Sequence, residues 1–236
     1  MSCITHIIKH GDTLYQLSRT YGVSIEDILN GNPHINPYNP YGLQIGMTLN
    51  ICTTNNSDNG MSDKDVLLLT EMNKLWSQHV HWTRSFLISV AENLRDLEPT
   101  KTRLLQNPKD FGNLFRQHYN NTVGDKIQDL LTEHLTIGGD LIVALKNGNT
   151  NQARILNEHW YKNADEIAEY LASINPNYNK EELRKMLHKH LELLTNQVSA
   201  RLRKNYSEDI KWYDEGEKEA LNMADYFARG IIKQKK

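Results

Sequence analysis

HIIKHGDTLYQLSRTYGVSIEDILNGNP, residues 6–33, sets several local structure signals in a fixed order. The stretch ITHII, residues 4–8, is short and β-branched, which predicts a strand. Gly11-Asp12-Thr13 turns the chain, and Asp12 or Thr13 can accept from the free N–H groups of a first helical turn. Leu14, Leu17 and Ser18 then share one face, and Gly22 after Tyr21 is free to take positive φ and end the helix. Ser24 followed by Asp27 is a box-like cap for a second helix, with Ile25, Ile28 and Leu29 expected to turn inward. The run Asn30 to Pro40 is rich in Asn, Pro and Gly and reads as a structured loop. Leu43 to Ile51 reads as a turn followed by a second strand. Strand, helix, helix, strand in about fifty residues is a compact βααβ unit, a small α+β fold.

This segment resembles a LysM domain, the module that binds N-acetylglucosamine-containing glycans such as peptidoglycan and chitin. The residues that carry the resemblance are Gly11-Asp12-Thr13-Leu14, Leu29 with Asn32-Pro33, Ile35-Asn36-Pro37 and Leu43-Gln44-Ile45-Gly46-Met47. It implies a shallow groove between the loop after the first strand and the loop after the second helix. Carried over residue by residue, it places Gly11, Asp12, Thr13 and Leu14 on one side and Asn32, Pro33, His34 and Ile35 on the other. Backbone groups and small side chains there suit N-acetyl groups, and apolar side chains suit sugar faces. The same residues also serve as helix cap and loop anchors, and the two roles are compatible. A single such module points to targeting rather than tight capture, with display in many copies raising avidity.

The chain has two cysteines, Cys3 before the first strand and Cys52 after the last. Antiparallel pairing of those strands, as the resemblance implies, brings the two positions together. A Cys3–Cys52 disulfide and two free thiols in a reducing compartment are both consistent with the sequence.

Of the 236 residues, 39% are hydrophobic and 24% charged, and the formal net charge is −2. That balance gives no general attraction to nucleic acid or to an anionic membrane. The longest apolar runs are far short of a bilayer span, and MSCITHIIKH lacks the charged and apolar regions of a signal peptide. The expectation is synthesis in the cytoplasm, with a spore cortex or coat as a destination.

Thr53 to Gly60, TTNNSDNG, reads as a flexible linker, and Ser62 with Asp65 caps a new helix. Helical periodicity then runs to the end. Leu68, Met72, Leu75, His79, Trp82 and Phe86 form a first stripe, which Pro99 closes. Asn107-Pro108 opens a shorter helical piece. Ile127, Leu131, His134, Gly138, Leu141 and Leu145 form a second stripe, and Leu156, Trp160, Asn163, Ile167 and Leu171 a third. Leu183, Leu187, His190 and Leu194 form a fourth. Ile210, Tyr213, Glu217, Leu221, Ala224 and Phe227 continue it, either in a fifth helix begun near Ser207 or in one bent rod. The expected architecture is a LysM domain over 1–52, a linker over 53–61 and an all-α antiparallel helical bundle over 62–236, built on four long helices.

Three stripes place a histidine where an apolar residue belongs: His79, His134 and His190. Inward side chains from facing helices are how bundles build metal sites, and neutral imidazoles suit zinc, iron or another transition metal. Buried histidines satisfied by Asn, Asp or a carbonyl are the competing reading. No Glu-x-x-His occurs, so the ferritin-like di-iron pattern is missing. No nucleophile constellation or carboxylate pair in a cleft-forming loop stands out, which weighs against an enzyme. Asp209, Asp214 and Glu217 read as a solvated face. The helical part also resembles proteins of spore-forming Gram-positive bacteria through LWSQHVHWTR, RLLQNPKDF, EHLTIGGDLI, HWYKNADEIA, INPNY, HLELL and MADYFARGIIKQ. No activity comes with that resemblance. Two functions follow: a glycan-bound protein whose bundle is a structural or self-associating module, or one whose bundle binds a metal for storage, redox chemistry or catalysis.

Overall fold

The computed structural model describes residues 2–9, 12–35, 43–53 and 61–235. Gly11, positions 36–40 of the Asn/Pro/Gly-rich loop and linker positions 54–60 lie outside the described residues. The chain divides into two compact units, Met1–Val66 and Leu67–Lys236.

In the first unit, strand β1 (Ser2–Ile7) pairs antiparallel with β2 (Thr48–Thr53), and helices α1 (Leu14–Tyr21) and α2 (Ile25–Asn30) lie between them in sequence. Thr13 is the N-cap of α1, its hydroxyl accepting from Gln16 N–H at 3.1 Å. Gly22 ends α1 at φ 65°, a left-handed conformation that costs glycine little. Ser24 and Asp27 form the reciprocal cap of α2. The core is Ile8, Leu17, Ile28, Ile35, Leu49 and Ile51. Ile25, expected inside, is exposed at the first position of this short helix, whereas Ile28 is buried. The register sets Cys3 opposite Cys52, and a disulfide joins them. The bond closes a loop with a sequence separation of 49. Its loss, in Cys52→Ser, is expected to destabilise this unit by roughly 2–4 kcal/mol, read from its urea midpoint with and without reductant.

The second unit is all helix among the described residues: α3 (Asp63–Glu92), α4 (Leu97–Leu104), α5 (Asn107–His118), α6 (Asn121–Lys146), α7 (Thr150–Ile174), α8 (Lys180–Leu202) and α9 (Tyr206–Gln234). Five of these are long, where the sequence predicts four, because the final segment is a separate helix. Asn205 caps α9 by accepting from Glu208 N–H, and Lys204 turns the chain at φ 60°. Three residues between α8 and α9 leave room only for an antiparallel return. Pro99 does not close α3. It sits in the first turn of α4, where a missing N–H costs nothing, and the break falls at Asn93 with φ 55°.

Small residues let helices approach. A Cβ on Gly124 would fall 2.6 Å from Gly112 O, so α5 and α6 meet backbone to backbone there. A Cβ on Gly138 would fall 3.0 Å from the Trp160 ring. Gly138 therefore serves close packing between α6 and α7.

The phase of α9 departs from expectation. Ile210 is 52% exposed, whereas Asp209 is fully buried. Arg84 Nη1 donates to Asp209 Oδ1 at 2.7 Å, Gln197 Nε2 donates to the same oxygen at 3.1 Å, and Arg201 Nη1 donates to Oδ2 at 3.3 Å. Two guanidiniums and an amide replace the water this carboxylate loses, and they tie α3, α8 and α9 together. Removing one partner of such a buried set strands the others. Asp209→Ala is expected to cost about 3–5 kcal/mol, against about 0.5 kcal/mol or less for the exposed Asp214→Ala, both read by urea unfolding.

Candidate functional site

Two groups of residues bear on function, one in each unit.

In the first unit, Asp12 is tied down by its surroundings. Its carboxylate accepts from Lys9 N–H at 2.8 Å and bonds His6 Nε2 at 2.8 Å. The His6 hydrogen bond, reinforced by that of Lys9, holds the Asp12 carboxyl below its ordinary range. His6 Nδ1 in turn meets Tyr21 Oη at 2.8 Å, linking the loop after β1 to the end of α1. Neither His6 nor Tyr21 stands out in the sequence as a site residue. Their only signal there was an alternating strand position and a helix end.

The second edge divides in two. Asn32 is 1% exposed. Its Nδ2 donates to the carbonyls of Ile28 and Asn50, each at 2.7 Å, and its Oδ1 accepts from Asn50 N–H at 2.9 Å. That amide clamps the loop after α2 to strand β2. Ile35 is buried in the core, and Leu14 packs against it. Thr13, Pro33 and His34 remain exposed. Of the residues that the resemblance sets along the groove, those three present exposed side chains, while Asp12, Asn32 and Ile35 are engaged in shaping the loops.

Residues 6–51 match the family model described as LysM domain. The N-terminal unit thus carries a LysM domain, and this supports binding of N-acetylglucosamine-containing glycans, peptidoglycan among them. No curated protein and no solved structure matches the chain. Among the described residues, no helix is long and apolar enough to cross a membrane.

In the second unit, the three histidines of the stripes come together. His79 on α3 and His190 on α8 have ring centres 5.3 Å apart, and His134 on α6 lies 6.5 Å from His190. All three are buried. Asn107, at the start of α5, donates through Nδ2 to Leu75 O at 2.9 Å, which turns its Oδ1 to His79 Nδ1 at 3.2 Å. Asn163, on α7, donates through Nδ2 to Leu130 O at 3.2 Å and offers Oδ1 to His134 Nδ1 at 2.8 Å. An amide oxygen only accepts, so each Nδ1 carries the proton and each Nε2 keeps its lone pair. His190 differs: neither of its ring nitrogens has a hydrogen-bond partner among the described residues. The histidines line a cavity of about 10 Å³, which holds one water-sized sphere. Thr83 and Trp160 share its wall, and Thr83 Oγ1 and Trp160 Nε1 are also buried without partners.

The carboxylates near this centre in sequence do not join it. Asp165 pairs with Arg184 and His188 on the outer side of α7 and α8, and Glu133 only approaches Asn163 Nδ2, at 3.4 Å. His81 is exposed. Among the described residues, no group of three or more His, Cys, Asp or Glu is arranged to hold a metal ion. Asn163 was visible in the sequence as an odd member of its stripe. Asn107 was not, since Asn-Pro at a helix start reads as a cap.

Burial pushes His79 and His134 down to about 4 and His190 well below its ordinary value. Their neutral forms therefore belong to the folded state, while the unfolded chain takes up protons near pH 6.5. Stability is full above about pH 6.5 and is lost as the pH falls towards about 4. In EDTA, the urea midpoint of the helical unit is expected to drop across that window, by at most roughly 1.4 kcal/mol per pH unit for each histidine.

Proposed function

We propose that this is a peptidoglycan-binding protein in which the LysM domain holds the glycan and the helical unit is the module it carries. The match over residues 6–51 carries the reading. The exposed Thr13, Pro33 and His34 are the side chains assigned to the sugar, with backbone groups of the two loops reading its N-acetyl substituents. The helical unit acts as a structural and interaction module. Its outer surface supports this, since Ile210 and Leu221 are exposed three turns apart on one side of α9. Self-association through such a face would present several LysM domains at once and multiply a weak affinity. A spore cortex or coat is the proposed setting; the support for it is the resemblance of the helical runs to proteins of spore-forming bacteria. The disulfide of the first unit suits the oxidising surroundings of a mature spore layer.

The test is co-sedimentation of the full chain with insoluble peptidoglycan, competed with soluble N-acetylglucosamine oligomers. Retention that the oligomers relieve is expected, and failure to sediment at any protein concentration would sink the proposal. His34→Ala should weaken retention several-fold with an unchanged melting temperature. Asn32→Ala should instead cost about 1–3 kcal/mol of stability, because it leaves Asn50 N–H and two carbonyls without their partner.

A further inference from the structure

The centre of the helical unit is polar where packing alone would make it apolar. His190 is 5% exposed and both its nitrogens lack partners. A neutral imidazole has one donor and one acceptor, and each left unpaired in the interior is a cost to folding. Leucine at this position would avoid that cost, as Leu183, Leu187 and Leu194 do on the same stripe. The unpaired nitrogens sit on a cavity that His79 and His134 also line. Those two are prepared differently from His190. Asn107 and Asn163 take up their Nδ1 protons and so leave an Nε2 lone pair on each. Amide or carboxylate partners on the far nitrogen are how metal-binding imidazoles are oriented.

One pair already has the spacing, a second must close to reach it, and the chemistry of the donors is uniform. Two imidazoles on one ion at 2.0–2.1 Å have ring centres roughly 5 Å apart. His79 and His190 stand at 5.3 Å, and the pair of His134 and His190, at 6.5 Å, needs to close by roughly 1 Å. Three neutral nitrogen donors with no carboxylate or thiolate select a borderline first-row ion rather than calcium or magnesium. We propose that His79, His134 and His190 are the ligands of a single first-row transition-metal ion, zinc foremost, held between α3, α6 and α8. Thr83 Oγ1 and Trp160 Nε1 belong to residues of the same wall and have no hydrogen-bond partner among the described residues. Three protein ligands and one exchangeable position is the open form of a zinc site. The assignment is independent of whether the first unit binds glycan.

The experiment uses the full chain, made without an affinity tag, stripped with EDTA and dialysed. Zinc or cobalt(II) is then added in excess and the unbound metal removed. The expected result is one equivalent by elemental analysis, a tetrahedral cobalt spectrum, and a melting temperature that rises with free metal. His190→Leu should lose the metal and the metal-dependent rise, while its metal-free form melts at or above the wild-type temperature. Asn163→Ala should bind roughly 10–100-fold more weakly. His81→Ala and His188→Ala, which change outer histidines, should keep the full equivalent. Should His190→Leu not fold, His79→Gln provides the same comparison. Substoichiometric metal in the loaded wild type, or an unchanged equivalent in the core-histidine variant, would overturn the assignment. The cavity would then be the seat of a buried water.

Discussion

Desolvation of polar groups at the middle of the helical unit is the constraint on which its architecture turns. Three imidazoles, two asparagines and an aspartate are buried where a bundle of this size normally buries leucine. Each loses its water on folding and each must be matched by a partner from another helix. His79 is matched from α5, His134 from α7, and Asp209 from α3 and α8. These bonds reach across helices far apart in sequence, so they set register in a way that interchangeable apolar contacts do not. His190 is the member without a match, and its exception is what makes the centre informative.

The first unit solves a different problem. With a core of Ile8, Leu17, Ile28, Ile35, Leu49 and Ile51, it has little apolar surface to bury. Its loops are instead held by directed bonds: the Ser24–Asp27 cap, the Asn32 clamp onto β2, the chain from Tyr21 through His6 to Asp12, and the disulfide at the open end of the sheet. Loop residues held in place in this way lose little entropy when a ligand binds. Asp12 and Asn32 are engaged in holding the loops, and Thr13, Pro33 and His34 beside them are exposed.

The two units also differ in how much of each is local. In the first, strand, cap, turn and second cap follow one another within a few residues, so each is written where it acts. In the second, the elements are local but their meeting points are not. Asn107 lies 28 residues from the histidine it supports, and Arg84 lies 125 residues from Asp209. Only the packed arrangement gives either residue its role.

From the sequence by itself came the βααβ order of the first unit, the helical character of the rest, most helix ends, and the three histidines as an anomaly on apolar stripes. All of these rest on short-range rules: period, capping and turn chemistry. The tertiary structure decided which anomalies converge. It gathered His79, His134 and His190 around one cavity, supplied Asn107 and Asn163 as their supports, and left Asp165 outside. It also reversed the phase of α9 at its start, burying Asp209 and exposing Ile210. Periodicity ranks a residue by its own polarity. Burial of a charge depends on partners from other helices, and these meet it only when the chain has folded.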